Sequence, residues 1–241
     1  DFFARVEAGV TRNQLNDALK GTGMHFPVDP GANATLGGMA STRASGTTTV
    51  QHGTMKERVA GLTVVLANGT VLRTGGPVVK SSAGYDLTSL FVGSEGTLGV
   101  ITEVLVRLVP VPDTTHAFVL GFPSVNDAVQ TVLDLRRWGV PLGRAELLDA
   151  NTMRAVKAAG LQGYDETPTL FVELNGSAGA VSDAADVVRR VAEEHAVSEV
   201  RAADEPEKRA ALWKARHSAY YSVMKTRPPG ARGWPTDVCV P

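Results

Sequence analysis

One carboxylate, Glu95, stands among three glycines, Gly93, Gly96 and Gly99, in the run from Ser89 to Val104. Apolar residues flank this loop on both sides. Glycine lets backbone take positive φ or approach another group closely, and ordering it costs conformational entropy. A tight turn or a bound ligand could offset that cost. A second stretch, residues 27–46, holds Gly31, Gly37, Gly38 and Gly46 with Ser41, Thr42 and Ser45. Small residues there bring N–H and O–H donors close to phosphate or carbonyl oxygens. No Gly-Lys-Ser/Thr follows it, so it is not a P-loop. Strand and helix do not flank it as a dinucleotide fingerprint requires. On composition, a ligand cradle and an ordinary packed loop both stay open.

Other side chains could also do chemistry. Arg216 lies in Leu212-Trp213-Lys214-Ala215-Arg216. A guanidinium fork pairs two carboxylate oxygens in one plane, but Lys208, Arg209 and Lys214 nearby equally suit a solvated basic helix. His52 sits in a glycine-flanked loop and reads as a hydrogen-bonded histidine more than a free base. Glu146 and Asp149 fall at a strand end and read as structural. Tyr85-Asp86 reads as a turn anchor, Tyr220 and Tyr221 as helix packing, and Trp213 as core. His116, His195 and His217 are isolated, and no His-x-x-x-His or His-x-x-His pair exists. A metal site built wholly from this chain is not expected.

The elements that must position these groups divide at Pro110-Val111-Pro112-Asp113. Before it, residues 6–10 read as a strand. Thr11 and Gln14 then make a capping box for a helix bearing Leu15, Ala18 and Leu19. Residues 27–54 show no period, and a structureless loop of that length is usually functional. Asn68-Gly69 joins residues 62–67 and 71–74 as a hairpin. Residues 90–92 and 100–109 read as strands. After the division, helices and strands alternate. Strands are expected at 118–122, 145–148, 170–174 and 197–202. Helices are expected after Ser124, at 151–159, after Ser182 and at 205–225, with a last strand at 237–241. Short connections suit a split βαβ, ferredoxin-like sheet.

Bulk properties exclude several classes. The chain has 241 residues, 43% hydrophobic and 20% charged, as in an ordinary globular protein. A net charge of -1 makes no electrostatic case for nucleic acid. No apolar stretch approaches the ~20 residues of a membrane span. The single cysteine, Cys239, excludes an intrachain disulfide and fits a reducing compartment. The first residues carry no initiator Met and do not read as a signal peptide, and both ends read as truncated.

Five segments, in order, carry a resemblance over nearly the whole chain: Val6 to Asn16, Phe26 to Gly46, Thr63 to Gly75, Ser81 to Val104, and Leu212 to Arg216. Together they resemble the FAD-linked oxidases of the vanillyl-alcohol-oxidase fold, in the branch of D-lactate dehydrogenase (cytochrome) and the glycolate oxidase large subunit. The resemblance implies an α+β fold. Residues 1–112 would be part of the FAD-binding domain, and residues 113–241 part of a ferredoxin-like cap domain with an antiparallel sheet. It implies that Pro30, Gly31, Ala32, Gly37, Gly38, Thr42, Ser45 and Gly46 run along the pyrophosphate, ribityl chain and flavin. His52 and Gly53 would lie near the flavin. Glu95, Gly99, Val100 and Ile101 would lie near the ribose and adenine, and Arg216 would bind the substrate carboxylate.

The implied activity is oxidation of a D-2-hydroxy acid, D-lactate first, with electrons passing to a cytochrome or quinone-linked acceptor. Glycolate or D-2-hydroxyglutarate oxidation, or a non-catalytic flavin-binding subunit, are the alternatives. The family has Arg-Tyr-Gly where this chain has Gln51-His52-Gly53. Two family segments are expected outside residues 1–241. One is an N-terminal phosphate loop. The other is a His-rich run that supplies a base and ligands for a divalent metal, so the catalytic residues are expected beyond residue 241 and the piece alone is expected to be inactive. A cytoplasmic location, with attachment at the periphery of the inner membrane, fits this reading, and a mitochondrial one stays open because the N-terminus is expected to be missing.

Overall fold

The computed structural model describes residues 2–161, 163–234 and 236–238. The chain divides into two compact units, Asp1–Asp113 and Thr114–Pro241.

The first unit opens with β1 (Phe3–Glu7), α1 (Arg12–Ala18) and β2 (Met24–His25). Thr11 caps α1 with the reciprocal Gln14 bond that the sequence predicts. Three short helices follow, α2 (Leu36–Ser41), α3 (Thr49–His52) and α4 (Met55–Arg58). Residues 27–54 are therefore ordered by one- and two-turn helices too short to show a period. Then come β3 (Val59–Val65), β4 (Val71–Gly75), α5 (Leu87–Phe91), β5 (Val100–Arg107) and β6 (Val109–Pro110). Gly69, at φ 81°, closes the β3–β4 hairpin. The sheet runs β1-β5-β3-β4, with every neighbouring pair antiparallel. Leu15, Phe26, Leu36, Met39, Met55, Val64, Phe91 and Val104 share its core.

The strand expected at residues 90–92 is instead the end of helix α5. Asp86 caps that helix, accepting from the Ser89 amide at 2.9 Å and the Ser89 hydroxyl at 2.6 Å. A short apolar run does not distinguish strand from helix by period; the cap decides here.

The second unit holds β7 (Thr114–Gly121), α6 (Val125–Arg137), β8 (Leu142–Leu148), α7 (Ala150–Ala158), β9 (Thr169–Gly176), α8 (Ala178–Glu194), β10 (Glu199–Ala203) and α9 (Pro206–Lys225). Its sheet order is β10-β7-β9-β8, antiparallel throughout, which is the ferredoxin-like topology with α7 added between its second and third strands. Helix α8 starts earlier than the sequence suggests, because Ser177 rather than Ser182 accepts from the Ala180 amide. Tyr220 and Tyr221 are 49% and 69% exposed, so they pack edge to face on each other and not into a core. The expected strand at 237–241 and Cys239 lie largely outside the described residues.

Phe171 sits at the centre of the α9-facing core, 5.9 Å from the Trp213 ring and 6.4 Å from Tyr164, ring centre to ring centre. Truncating a buried Phe to Ala removes its transfer energy and leaves a cavity, at a cost of about 3–5 kcal/mol. Phe171→Ala is expected to lower the urea midpoint accordingly. A loss under about 1 kcal/mol in equilibrium unfolding would refute this placement of the core.

Candidate functional site

Helix α2 joins the two glycine stretches. Thr35 caps its start and accepts from the Gly38 amide at 3.3 Å. Its first turn lies against β1's exit, where the Gly37 amide donates to the Ala8 carbonyl at 2.9 Å. A Cβ on Gly37 would run into Ala8. At the other end, the Gly93 amide donates to the Ala40 carbonyl and the Glu95 amide to the Ser41 carbonyl, both at 2.9 Å. The loop of residues 93–99 thus satisfies carbonyls that a helix end leaves without intrahelical donors. It turns through positive φ at Gly93 (89°), Glu95 (50°) and Gly96 (79°). Gly99 has a separate reason, because a Cβ there would sit 2.7 Å from Val64 Cγ1 and 2.8 Å from the Val65 carbonyl.

A third segment is held by Asp29, which the sequence reading did not single out. Its carboxylate accepts from the Thr47 hydroxyl (2.7 Å), the Thr48 amide (3.1 Å) and the Thr48 hydroxyl (3.0 Å). The clasp presses on Gly46, where a Cβ would run into Asp29. The signal available was a lone carboxylate in a Pro/Gly segment, with Thr47-Thr48-Thr49 downstream able to donate to it. Beside this clasp, His52 meets His25 edge to face at 6.4 Å, and its carbonyl accepts from Arg58 Nε at 2.7 Å. Burial, the Arg58 guanidinium and His25 push the His52 imidazole down to about 4, with Asp29 opposing them. Gly53, at φ 72°, then turns the chain over the Glu57 side chain.

Packing within the protein thus accounts for Gly37, Gly46, Gly53 and Gly99. It does not account for Gly31, which has open space around its Cβ position. Among the described residues, the amides of Gly31, Ala32 and Ser45 are given no protein acceptor, and all three residues are exposed. Gly38, Thr42, Glu95 and Val100 are exposed as well, while Pro30 and Ile101 are half-buried. A surface with spare N–H donors and little side-chain bulk fits a phosphate-bearing ligand. A groove of about 720 Å³ elsewhere in this unit is lined by Lys56, Arg73, Lys80 and Arg107, and none of the expected site residues lines it.

In the second unit, a charged row crosses the α9-facing side of the sheet. Arg144 on β8 meets Glu173 on β9 at 3.2 Å and lies 5.3 Å from the Trp213 ring centre. Two residues along β8, Glu146 meets Arg216 of α9, accepting from Nε at 2.8 Å and Nη2 at 2.7 Å. Glu146 is thus the partner of Arg216. Their side chains are 31% and 22% exposed, so the pair reaches solvent. Among the described residues, no group of three or more His, Cys, Asp or Glu could hold a metal ion, and no helix is long and apolar enough to cross a membrane.

Residues 1–75 match the FAD binding domain, and residues 111–241 match the C-terminal domain of the FAD linked oxidases. The chain belongs to the FAD-linked oxidases. It is 47% identical over its whole length to a probable mitochondrial D-lactate dehydrogenase of Danio rerio, of which it covers 49%. It is 42% identical over its whole length to the mitochondrial D-lactate dehydrogenase [cytochrome] of Arabidopsis thaliana, covering 42% of that protein. Glycolate oxidase subunit GlcD of Bacillus subtilis is 33% identical over 93% of the chain, with 49% of that subunit covered. The chain spans about half the length of the curated relatives it matches. Among solved structures, alkyldihydroxyacetonephosphate synthase superposes with a TM-score of 0.72 at 20% identity, over 93% of this chain and 43% of that one. That likeness supports the α+β fold, and the family match makes the first unit part of an FAD binding domain.

Two outcomes test this site. Gly31 can be enlarged without internal collision, so Gly31→Val is expected to lower bound FAD while leaving the thermal midpoint of the apoprotein unchanged. Stoichiometric FAD in the purified variant would count against a cofactor surface there. For His52, the folded value of about 4 lies below the ordinary 6.5. Between those values the unfolded chain holds a proton that the folded chain lacks, so His52's contribution to stability is lost as pH falls from about 6.5 to about 4. His52→Gln is expected to flatten stability across that window. Proton NMR should place the His52 midpoint near 4, and a midpoint near 6.5 would contradict its burial.

Proposed function

We propose that this FAD-linked oxidase oxidises a D-2-hydroxy acid, with D-lactate as its substrate, to the 2-oxo acid, and passes the electrons to a cytochrome or quinone-linked acceptor. The observation that carries this reading is likeness over the entire chain, 47% and 42%, to two proteins named as D-lactate dehydrogenases. The spare amides of Gly31, Ala32 and Ser45 would hold the cofactor, with Pro30, Gly38 and Thr42 lining its path and Gly37, Gly46 and Gly53 keeping the backbone course that allows it. His52 would face the flavin as a neutral hydrogen-bonding group. Glu95 and Gly99 to Ile101 would lie against the adenosine half.

FAD, when bound, supplies the hydride acceptor for the carbinol carbon. The chain's own part is orientation. Arg216 takes the substrate carboxylate by a planar two-point bond, which fixes the orientation of the bound acid. None of the described residues is assigned the carbinol proton. The similarity to a glycolate oxidase subunit makes glycolate the second substrate to compare.

Under anaerobic conditions, D-lactate is expected to bleach the oxidised-flavin band, and L-lactate is not. Flavin colour that no 2-hydroxy acid bleaches would identify a flavin-holding subunit instead. Hydrogen bonds to charged groups are worth about 1.5–3 kcal/mol, so Arg216→Ala should lower kcat/KM by roughly one to two orders of magnitude. Arg216→Lys keeps the charge without the fork and should recover only part. Unchanged flavin reduction by Arg216→Ala at every D-lactate concentration would move the substrate anchor elsewhere.

A further inference from the structure

An arginine has two faces that accept a carboxylate. One is formed by Nε and Nη2, the other by Nη1 and Nη2. Glu146 occupies the first with a single oxygen, Oε2, at 2.8 Å from Nε and 2.7 Å from Nη2. Among the described residues, Nη1 of Arg216 is given no acceptor. Glu146 is itself held, because it stands on β8, the edge strand of the sheet, in register opposite Phe171 of β9. Phe171 is 1% exposed. The helix side is fixed as well, since Ala215, next to Arg216 on α9, and Trp213, three positions before it, are 0% and 3% exposed. The pair is thus anchored at both ends, while its outer face reaches solvent.

We propose that Glu146 is a positioning residue, which locks the side face of Arg216 so that its Nη1–Nη2 end face is presented to the carboxylate of the substrate. This rests on the reading of Arg216 as the substrate anchor. An unheld arginine has several rotatable bonds to immobilise on binding; one already held by Glu146 has fewer. The opposite role is also chemically definable. If Glu146 merely competed for the guanidinium, its removal would free the arginine and tighten binding.

The sign of the effect separates the two. Binding of pyruvate, the 2-oxo acid product of D-lactate, is measured by calorimetry on the FAD-loaded protein. Reduction of the flavin across D-lactate concentrations is followed in parallel. Glu146→Ala is expected to weaken pyruvate binding roughly three- to tenfold, the scale of one immobilised long side chain, and to raise KM with the limiting reduction rate nearly unchanged. Glu146→Gln keeps an oxygen at the same reach and should bind pyruvate at least as tightly as the parent. Glu146→Asp keeps the charge but shortens the reach, so it should weaken binding too, and it serves if Glu146→Ala fails to fold. In the Arg216→Ala background, Glu146→Ala should add nothing.

Tighter binding by Glu146→Ala, or an equal effect with and without Arg216, overturns the proposal. So does parent affinity in Glu146→Asp. If Arg216→Ala binds poorly while Glu146→Ala binds as the parent does, only the positioning role fails. If Arg216→Ala itself binds as the parent does, the substrate-anchor reading fails and this inference falls with it.

Discussion

Two backbone hydrogen bonds at the end of α2 organise the first unit. The helix is six residues long, too short to be stable by its own ladder, and its last carbonyls need donors. Residues 42–44 supply some locally, and Gly93 and Glu95 reach the last two, Ala40 and Ser41, from a loop more than fifty positions away, each at 2.9 Å. That single arrangement brings together the two glycine stretches, holds α2 against the β1 exit through Gly37, and leaves the exposed side of α2 with little side-chain bulk. If the loop could not turn through positive φ at Gly93, Glu95 and Gly96, its amides would not reach the helix. The glycines that first suggested a ligand are, in part, the means by which the protein closes on itself. The open space at Gly31 and the spare amides at Gly31, Ala32 and Ser45 are what fit a cofactor.

Elements marked by local chemistry were legible in the sequence. The Thr11–Gln14 box, the Asn68-Gly69 hairpin and the Ser124 cap each involve residues within a few positions of one another, and each forms as read. The ferredoxin-like order of the second sheet was legible from alternation with short connections. Helix α5 was misread because an apolar run of three residues has no period, and the deciding Asp86 cap lay upstream. The segment 27–54 looked structureless because its helices are too short to repeat a pattern. Partners distant in sequence were the harder problem. The Asp29 clasp spans 18 and 19 positions, and the Glu146–Arg216 pair spans 70. No single-sequence pattern links such residues. Arg216 drew notice through the segment that contains it, and Glu146 read as structural with nothing in the sequence to say which residue it meets.

In the second unit, ionic pairs and aromatic rings share one side of a sheet. Arg144–Glu173 lies between adjacent strands, while Glu146–Arg216 ties strand to helix. Trp213 stands between them, stacked on His217 and within reach of Arg144. Partly buried pairs of this kind add little net stability, since desolvation opposes the attraction. Their value lies in geometry. A hydrophobic replacement could keep the fold, but it offers no oxygen at this reach to hold the guanidinium in one plane.

The strand order β10-β7-β9-β8 also constrains how the second unit comes into being. Strand β7 is central, yet it is the first of the four to leave the ribosome. Its neighbours, β9 and β10, follow only after α6, β8 and α7, and after α8. Until they arrive, residues 114–121 present two unpaired edges and the apolar side chains of Ala117, Phe118, Val119 and Leu120. Nascent chains with a long-unpaired strand are slow to fold and prone to aggregate. During translation, chaperone occupancy on this unit should concentrate in the interval between the emergence of β7 and that of β10.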